Sequence, residues 1–563
     1  MTILPDPQTK SSPPPADSSL LPPVLLGLLT SVLLDFCFPV AGPMRPWRSL
    51  LAWVALVPLL TALLREPTAA HRHYHRRAFF IAWLSGLLWY ILNCYWIYRT
   101  MLLYGVNFPP IAAAGILFLF SAILGLYFGL FGLLLAFFRR RFGLVTALLL
   151  APFLWTALEL AAARITSVPW DQLGYSQVDN LALVSIAPVT GVYGISFLIA
   201  LFNSIFAVVF LPSDQTRRWR FHLVSWALIV LMAYFFLRPP TRPPAPTSTY
   251  AVLLQPNIQV AADSNWTGDE WHGNLSWLLQ QDAQTCTPAY SGLPRRGIQP
   301  PTPDCSANTP PPGIVLWPET ASWFQSDQPR TLDAMRTLAT TAHAPVIAGM
   351  AGPGGDYNSA LFVLPDGSIA GRYDKIHLVP FGEYVPYEKL FFFAKTLTHQ
   401  LSHLEPGHDR NVFRTDGSGV PGEPARRGGG HTFGTVICYE SIFANEVRQF
   451  TLNGAQVLVN LSDDGWYGDT SAPWQHLQMT RMRAIENRRW LLLDTNNGIT
   501  TVIDPWGRVT FSAPRHQLTS LIARYGYRSG LTFYTRYGDL FAYLCCAVVV
   551  AALAAAIGRR RPA

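Results

Sequence analysis

The chain has 563 residues, 50% of them hydrophobic and 13% charged. It is too apolar for an ordinary soluble enzyme and long enough for two domains. The net charge is +8, but the basic residues stand in short clusters beside apolar runs (Arg76-Arg77, Arg139-Arg140-Arg141, Arg217-Arg218 and Arg559-Arg560-Arg561), a pattern that orients membrane spans rather than one that binds nucleic acid.

Taken in chain order, charge-poor runs near the roughly 20 residues that a hydrocarbon core requires predict eight spans: 21–40, 50–64, 79–96, 111–138, 142–160, 181–211, 221–237 and 540–557. The Arg clusters follow every second span, which places both termini in the cytoplasm and 239–535 outside. Arg45 and Arg48 lie in an outer loop and run against that rule. A Pro-rich segment with one Lys precedes the first run, an argument against a cleaved signal peptide.

The seventh span gives way to Pro239-Pro240-Thr241-Arg242-Pro243-Pro244, a stiff exit from the membrane. Short β-rich runs then recur at 250–254, 314–317, 345–348, 359–364, 435–438, 457–460, 491–494 and 500–503, separated by helical or loop stretches; this is a soluble α/β pattern. Pro-rich 281–312 and Gly/Arg-rich 416–430 read as loop insertions. The expected units are a seven-span membrane domain at 1–238, an α/β catalytic domain at 239–535, and a closing span with a basic tail at 536–563.

Of seven cysteines, Cys37, Cys94, Cys545 and Cys546 lie in or beside apolar segments and read as small buried hydrophobes. Cys286 and Cys305 flank the Pro-rich loop on the oxidising side and are candidates for a disulfide. No cysteine–histidine spacing suits zinc, and His71, His73 and His75 belong to a basic loop. Cys438 is left unpaired, at the end of Thr435-Val436-Ile437-Cys438-Tyr439-Glu440. Alone it would read as a buried strand cysteine. Trp317-Pro318-Glu319 and Tyr373-Asp374-Lys375 change that reading. A thiol attacks as thiolate, so it needs a base for its proton, which Glu319 can be, and a cation for the charge that develops on the attacked carbonyl, which Lys375 can be.

The stretch from Tyr373-Asp374-Lys375-Ile376-His377-Leu378-Val379-Pro380-Phe381-Gly382-Glu383-Tyr384 to Val385-Pro386 resembles the lysine segment of the apolipoprotein N-acyltransferases, the membrane members of the nitrilase superfamily. So do Ile437-Cys438-Tyr439-Glu440, the segment from Asn460 to Asp469, the segment from Gln478 to Glu486, and Pro169-Trp170-Asp171-Gln172-Leu173-Gly174-Tyr175-Ser176-Gln177 in an outer loop. The resemblance implies a four-layer α-β-β-α sandwich on the outer face of the bacterial inner membrane. In it Glu319 is general base, Lys375 oxyanion stabiliser and Cys438 nucleophile. Glu383 orients the site, Tyr439 and Glu440 support it, and the Tyr439 N–H is a candidate oxyanion donor. Phe381, Tyr384, Trp466 and Tyr467 could form an apolar substrate entrance or ordinary packing. The chain departs from the family at Asp463-Asp464-Gly465, where Asn-Asp-Ala is usual, and in its two insertions.

The implied reaction is ping-pong. Cys438 takes an acyl chain from a phospholipid, with phosphatidylethanolamine the expected donor, and passes it to the α-amine of a diacylglyceryl-cysteine on an apolipoprotein. No cofactor, metal or nucleic acid is implied, and a monomer is expected. Two alternatives differ in class. A membrane-tethered nitrilase-type amidase would keep the triad without needing seven spans before it. A transporter or sensor would need intramembrane charges, for which only Glu159 and Asp35 are candidates.

Overall fold

The computed structural model describes residues 21–40, 42–65, 73–104, 109–211, 220–236, 244–258, 310–319, 324–380, 382–384, 404–416, 430–517 and 519–558. Among these, five helices are long and apolar enough to cross a membrane: Pro46–Leu64, Pro110–Phe142, Leu144–Ile165, Val192–Phe210 and Leu540–Gly558. Tyr74–Asn93 and Trp96–Tyr104, bent by 45°, make a sixth if counted together. Leu21–Phe36 and Arg220–Phe236 are shorter apolar helices of 16 and 17 residues. Each expected segment therefore coincides with a helix, but not all reach spanning length.

The 181–211 run is not one continuous helix. Pro188 stands in the short turn Ala187–Thr190, and Gly191, at φ +64°, resets the chain before Val192. A residue with a Cβ there would meet the Tyr534 ring at 2.6 Å. Arg48, which runs against the charge rule, is held by local hydrogen bonds. Its Nε donates to Phe36 O at 2.7 Å and its Nη2 to Phe38 O at 2.5 Å. It satisfies carbonyls at the end of Leu21–Phe36 and just beyond it.

The α/β part holds two six-stranded sheets. The first runs β12-β1-β2-β3-β4-β5, with β1 Thr249–Gln255, β2 Ile314–Trp317, β3 Val346–Ala351, β4 Asn358–Val363, β5 Ile369–Asp374 and β12 Thr519–Tyr525. The second runs β11-β10-β9-β8-β7-β6, with β6 Val412–Arg414, β7 Thr432–Ile437, β8 Val457–Ser462, β9 Trp490–Thr495, β10 Thr501–Ile503 and β11 Val509–Ser512. In the centre, β1-β2-β3 and β7-β8-β9 are parallel. Such strands are covered on both faces and read as unbroken apolar runs. Alternation still sorts the side chains: Ala251, Leu253, Ile314 and Leu316 face the core shared with the second sheet, while Val252, Leu254, Val315 and Trp317 pack with Met335 and Leu338 of the helix Pro329–Ala342. Helices Ala444–Leu452 and Ala472–Asn487 cover the second sheet, which completes four layers.

All eight expected strands are present within a few residues, and β5, β6, β11 and β12 are additional. The insertion at 416–430 leaves between antiparallel β6 and β7, its ends joined by Thr415 N donating to His431 O at 2.9 Å. Residues 417–429, most of the 281–312 insertion, Cys286 and Cys305 lie outside the described residues.

Candidate active site

Topology brings the polar residues to one edge. Glu319 follows β2, Lys375 follows β5, Cys438 follows β7 and Asp463 follows β8. Because β4 runs antiparallel to both β3 and β5, its first residue, Asn358, falls at the same edge as their last. Carboxyl ends of strands in α/β sheets are where polar groups meet outside the core.

Cys438 begins the turn Cys438–Ile442 with φ +51°, a left-handed conformation costly for a residue with a Cβ. Glu440, 2% exposed, holds that turn to the first sheet. Its Oε1 accepts from Ile376 N at 2.7 Å, His377 N at 3.1 Å and the Tyr373 hydroxyl at 2.7 Å, and its Oε2 accepts from Ile437 N at 2.7 Å. One carboxylate thus ties the segment after Lys375 to the turn that Cys438 begins.

Lys375 is 1% exposed; Nζ lies 3.2 Å from Glu319 Oε1 and 2.9 Å from Glu383 Oε1. Asn358 Nδ2 donates to the same two oxygens at 2.7 and 2.9 Å. Glu319 Oε2 accepts from Asp463 N at 2.9 Å, and Glu383 Oε2 from Val379 N at 2.7 Å. Burial alone would weaken the ammonium, but Glu319 and Glu383 outweigh it and raise its pKa well above the ordinary lysine value. The Cys438 thiol is pushed well up, first by burial and then by the Glu319 charge, with Lys375 pulling the other way. A thiol whose pKa is raised in this way keeps its proton at rest.

Phe381 lies outside the described residues. Tyr384, 37% exposed, bridges back to Pro380 at the rim. Trp466 and Tyr467 do not simply line an opening. The Trp466 ring lies 5.2 Å from Tyr104, and Thr100 Oγ1 donates to Trp466 O at 3.1 Å; Tyr467 packs on Trp96 at 5.1 Å. These aromatics seat the α/β part on the bent helix pair. Tyr439 also reaches across, its hydroxyl donating to Ser167 O at 3.1 Å.

Sequence reasoning missed the polar supports. Asn358 had no motif to mark it. Gln475 links three chain segments: Oε1 accepts from Trp170 Nε1 at 2.9 Å, and Nε2 donates to Asn93 Oδ1 at 2.9 Å and Pro39 O at 3.2 Å. Arg483 donates to the Tyr175 hydroxyl at 2.9 Å, and Glu486 accepts from Val192 N at 3.0 Å. Two segments that carried the resemblance, 169–177 and 478–486, therefore touch each other.

Comparison with known families agrees with this architecture. Residues 31–205 match the apolipoprotein N-acyltransferase N-terminal domain, and residues 309–525 match the carbon-nitrogen hydrolase domain. The apolipoprotein N-acyltransferase of Geobacter metallireducens is 34% identical over 94% of this chain and 95% of its own length. That of Chlorobaculum tepidum is 29% identical over 96% and 97%. Among solved structures, an amidase from Nesterenkonia sp. is 16% identical, covering 53% of this chain and 96% of its own, at a TM-score of 0.34.

Proposed function

We infer, because this chain belongs to the apolipoprotein N-acyltransferase family, that it moves a phospholipid acyl chain through a thioester on Cys438 to the amino terminus of a diacylated lipoprotein. Glu319 takes the thiol proton while the sulfur attacks the ester carbonyl, and Lys375 Nζ with the Tyr439 N–H stabilises the oxyanion. The carbon–oxygen bond breaks, and the leaving lysophospholipid alkoxide takes the proton back from Glu319. The acceptor's α-amine then attacks the thioester, gives its proton to Glu319 and expels the thiolate, forming an amide, and the thiolate takes that proton back from Glu319 to restore the resting thiol. Glu383 and Asn358 hold the base and the ammonium in register.

The observation that carries this reading is the Glu319–Lys375–Glu383 cluster, its first two members buried, beside a cysteine in a left-handed turn. Cys438 is only 5% exposed, a setting that protects a thioester from water. The membrane half fits the substrates: both are anchored by acyl chains, each buried CH₂ contributing about 0.8 kcal/mol, so a site at the interface meets them without extracting them. Phosphatidylethanolamine is the expected donor. The units at 1–238, 239–535 and 536–563 work as one chain in the bacterial inner membrane, with the catalytic unit on the periplasmic side.

The test is a label chase. Enzyme is loaded from phospholipid carrying a labelled acyl chain, the donor is removed, and label is followed on protein, free fatty acid and a diacylglyceryl-cysteine peptide. Label should persist on Cys438 and discharge to the peptide, and Cys438→Ser should never acquire it. Rapid release as free fatty acid with no transfer would favour a tethered hydrolase.

A further inference from the structure

Behind the nucleophile lies a buried histidine–aspartate pair with no part in the proton transfers above. His476, on the helix Ala472–Asn487, is 2% exposed; its Nδ1 lies 3.0 Å from Asp464 Oδ1. Its Nε2 lies 3.1 Å from the carbonyl oxygen of Cys438 and 2.7 Å from Ser441 Oγ. Asp464 Oδ1 also accepts from Ser462 Oγ at 2.8 Å, and Ser441 Oγ lies 2.8 Å from Thr480 Oγ1.

The protonation of this ring follows from its partners. A carboxylate can only accept, so Nδ1 carries a hydrogen; at Nε2 the Cys438 carbonyl can only accept while the Ser441 hydroxyl can donate or accept, so a hydrogen on Nε2 is what makes the carbonyl contact a bond. With Nε2 bare, the Ser441 hydroxyl would donate to it, but its lone pair would face the Cys438 oxygen at 3.1 Å. Burial works against the charged ring, but Asp464 outweighs it and raises the histidine's pKa. The carbonyl contact at Nε2 and the raised pKa both favour the imidazolium form of the ring.

The carbonyl it serves is half of one peptide unit. The other half is the N–H of Tyr439, among the first donors of the Cys438–Ile442 turn, where helical geometry supplies no internal acceptor. In a trans peptide the carbonyl and the N–H point in opposite directions, so the imidazolium stands on the far side of that unit from the reacting centre. A charged donor on the carbonyl polarises the peptide and strengthens its N–H as a donor. Asn460 Nδ2, at 3.5 Å from the same oxygen, is a weaker neutral second donor.

We propose that Asp464 and His476 are positioning residues that act through the Cys438–Tyr439 peptide, holding the left-handed turn and polarising the Tyr439 N–H toward the oxyanion. The proposal rests on the reading of Cys438 as the acylated nucleophile and of that N–H as an oxyanion donor. It assigns a role to polar residues outside the Glu–Lys–Cys set, and both half-reactions depend on them, because each passes through an oxyanion.

The test uses full-length enzyme acylated from phospholipid with a ¹³C-labelled acyl carbonyl, in the absence of acceptor. Infrared spectra of the thioester carbonyl report donation to its oxygen directly. Asp464→Asn keeps an acceptor for Nδ1 but removes the charge that holds the ring protonated. It should shift the carbonyl to higher frequency and slow both acylation and transfer about 10- to 100-fold, less than the roughly 10²–10³ for losing a whole donor. The phospholipid KM should stay near wild type, while the thermal midpoint should fall, because one partner of a buried pair loses its charge. His476→Gln keeps a neutral donor to the same oxygen, so it should fall between Asp464→Asn and wild type; where Asp464→Asn does not fold, His476→Gln is read alone against wild type. Unchanged frequency and rate in the folded variants would overturn the proposal. So would a lowered midpoint with unchanged frequency, which would make the pair a strut only. Absence of acyl-Cys438 in wild-type enzyme would instead overturn the nucleophile assignment.

Discussion

Replacing Lys375 with methionine should separate the two roles of that side chain, charge balance at rest and oxyanion stabilisation in the reaction. The ammonium is 1% exposed and lies within 3.2 Å of one carboxylate and 2.9 Å of another. Without it, Glu319 Oε1 and Glu383 Oε1 converge on a single Asn358 amide with no cation between them. Breaking a buried ion pair from one side costs about 3–5 kcal/mol. The lower end applies here, since one carboxyl can take up a proton instead of staying charged. Acylation loses one donor, about 2.7–4 kcal/mol, so the rate should fall roughly 10²–10³-fold. The double variant Lys375→Met with Glu383→Gln removes the like-charge contact and should recover much of the stability and none of the rate. Both are read on purified enzyme, by thermal midpoint and by single-turnover formation of acyl-Cys438 in phospholipid micelles followed by mass spectrometry. Acylation by Lys375→Met within about threefold of wild type would refute the oxyanion role. Equal midpoints in the single and double variants would refute the electrostatic account of stability.

Asp463 supplies a pH prediction. Burial, and after it the Glu319 charge, push its carboxyl up to about 8, so the folded state holds a proton that the unfolded state has released. A raised carboxyl pKa gives stability that is present at low pH and is lost as pH rises from the ordinary carboxylate range toward 8. Asp463→Asn should shrink the drop in thermal midpoint between pH 5 and pH 8, and equal drops in both proteins would refute the assignment. Topology is checked by fusing a reporter that works only outside the cytoplasm: it should be active after Pro244 and silent after Arg141 or Arg560, and the reverse pattern would place the site on the wrong face for lipoproteins.

The central strands were legible because they are covered on both faces. Runs such as Val252-Leu253-Leu254 and Ile314-Val315-Leu316 carry no polar interruption and end at turn residues. The four strands that escaped notice are peripheral or mixed. β11, Val-Thr-Phe-Ser, is a largely exposed edge, β6 has three residues, and β5 carries Gly371 and Arg372 in its middle. Their pairing comes from neighbours, and neighbours are a tertiary fact. The broken 181–211 segment erred the other way: hydropathy sums over a window, while one proline and one left-handed glycine decide where a helix can start.

The site divides along the same physical line. Glu319 and Cys438 could be read because each follows an apolar strand, and Lys375, which follows the mixed β5, because a cysteine read as a nucleophile calls for a cation as well as a base. Asn358, Asp463, Gln475 and His476 could not, since their chemistry exists only once two sheets and a membrane half are brought together. Gln475 is fully buried and spends its amide on Trp170, Asn93 and Pro39, and Arg483 and Glu486 are buried against Tyr175 and Val192. Without that membrane half these groups would lose those partners and turn to water, leaving Arg483 and Glu486 with each other and Ile442. Tyr439, in the turn that Cys438 begins, bonds to Ser167 in the same loop. The helices therefore do more than tether a soluble enzyme: they complete the hydrogen bonding of the helix that carries His476 and of the turn that carries Cys438, so the chemistry and the membrane fold are one structure.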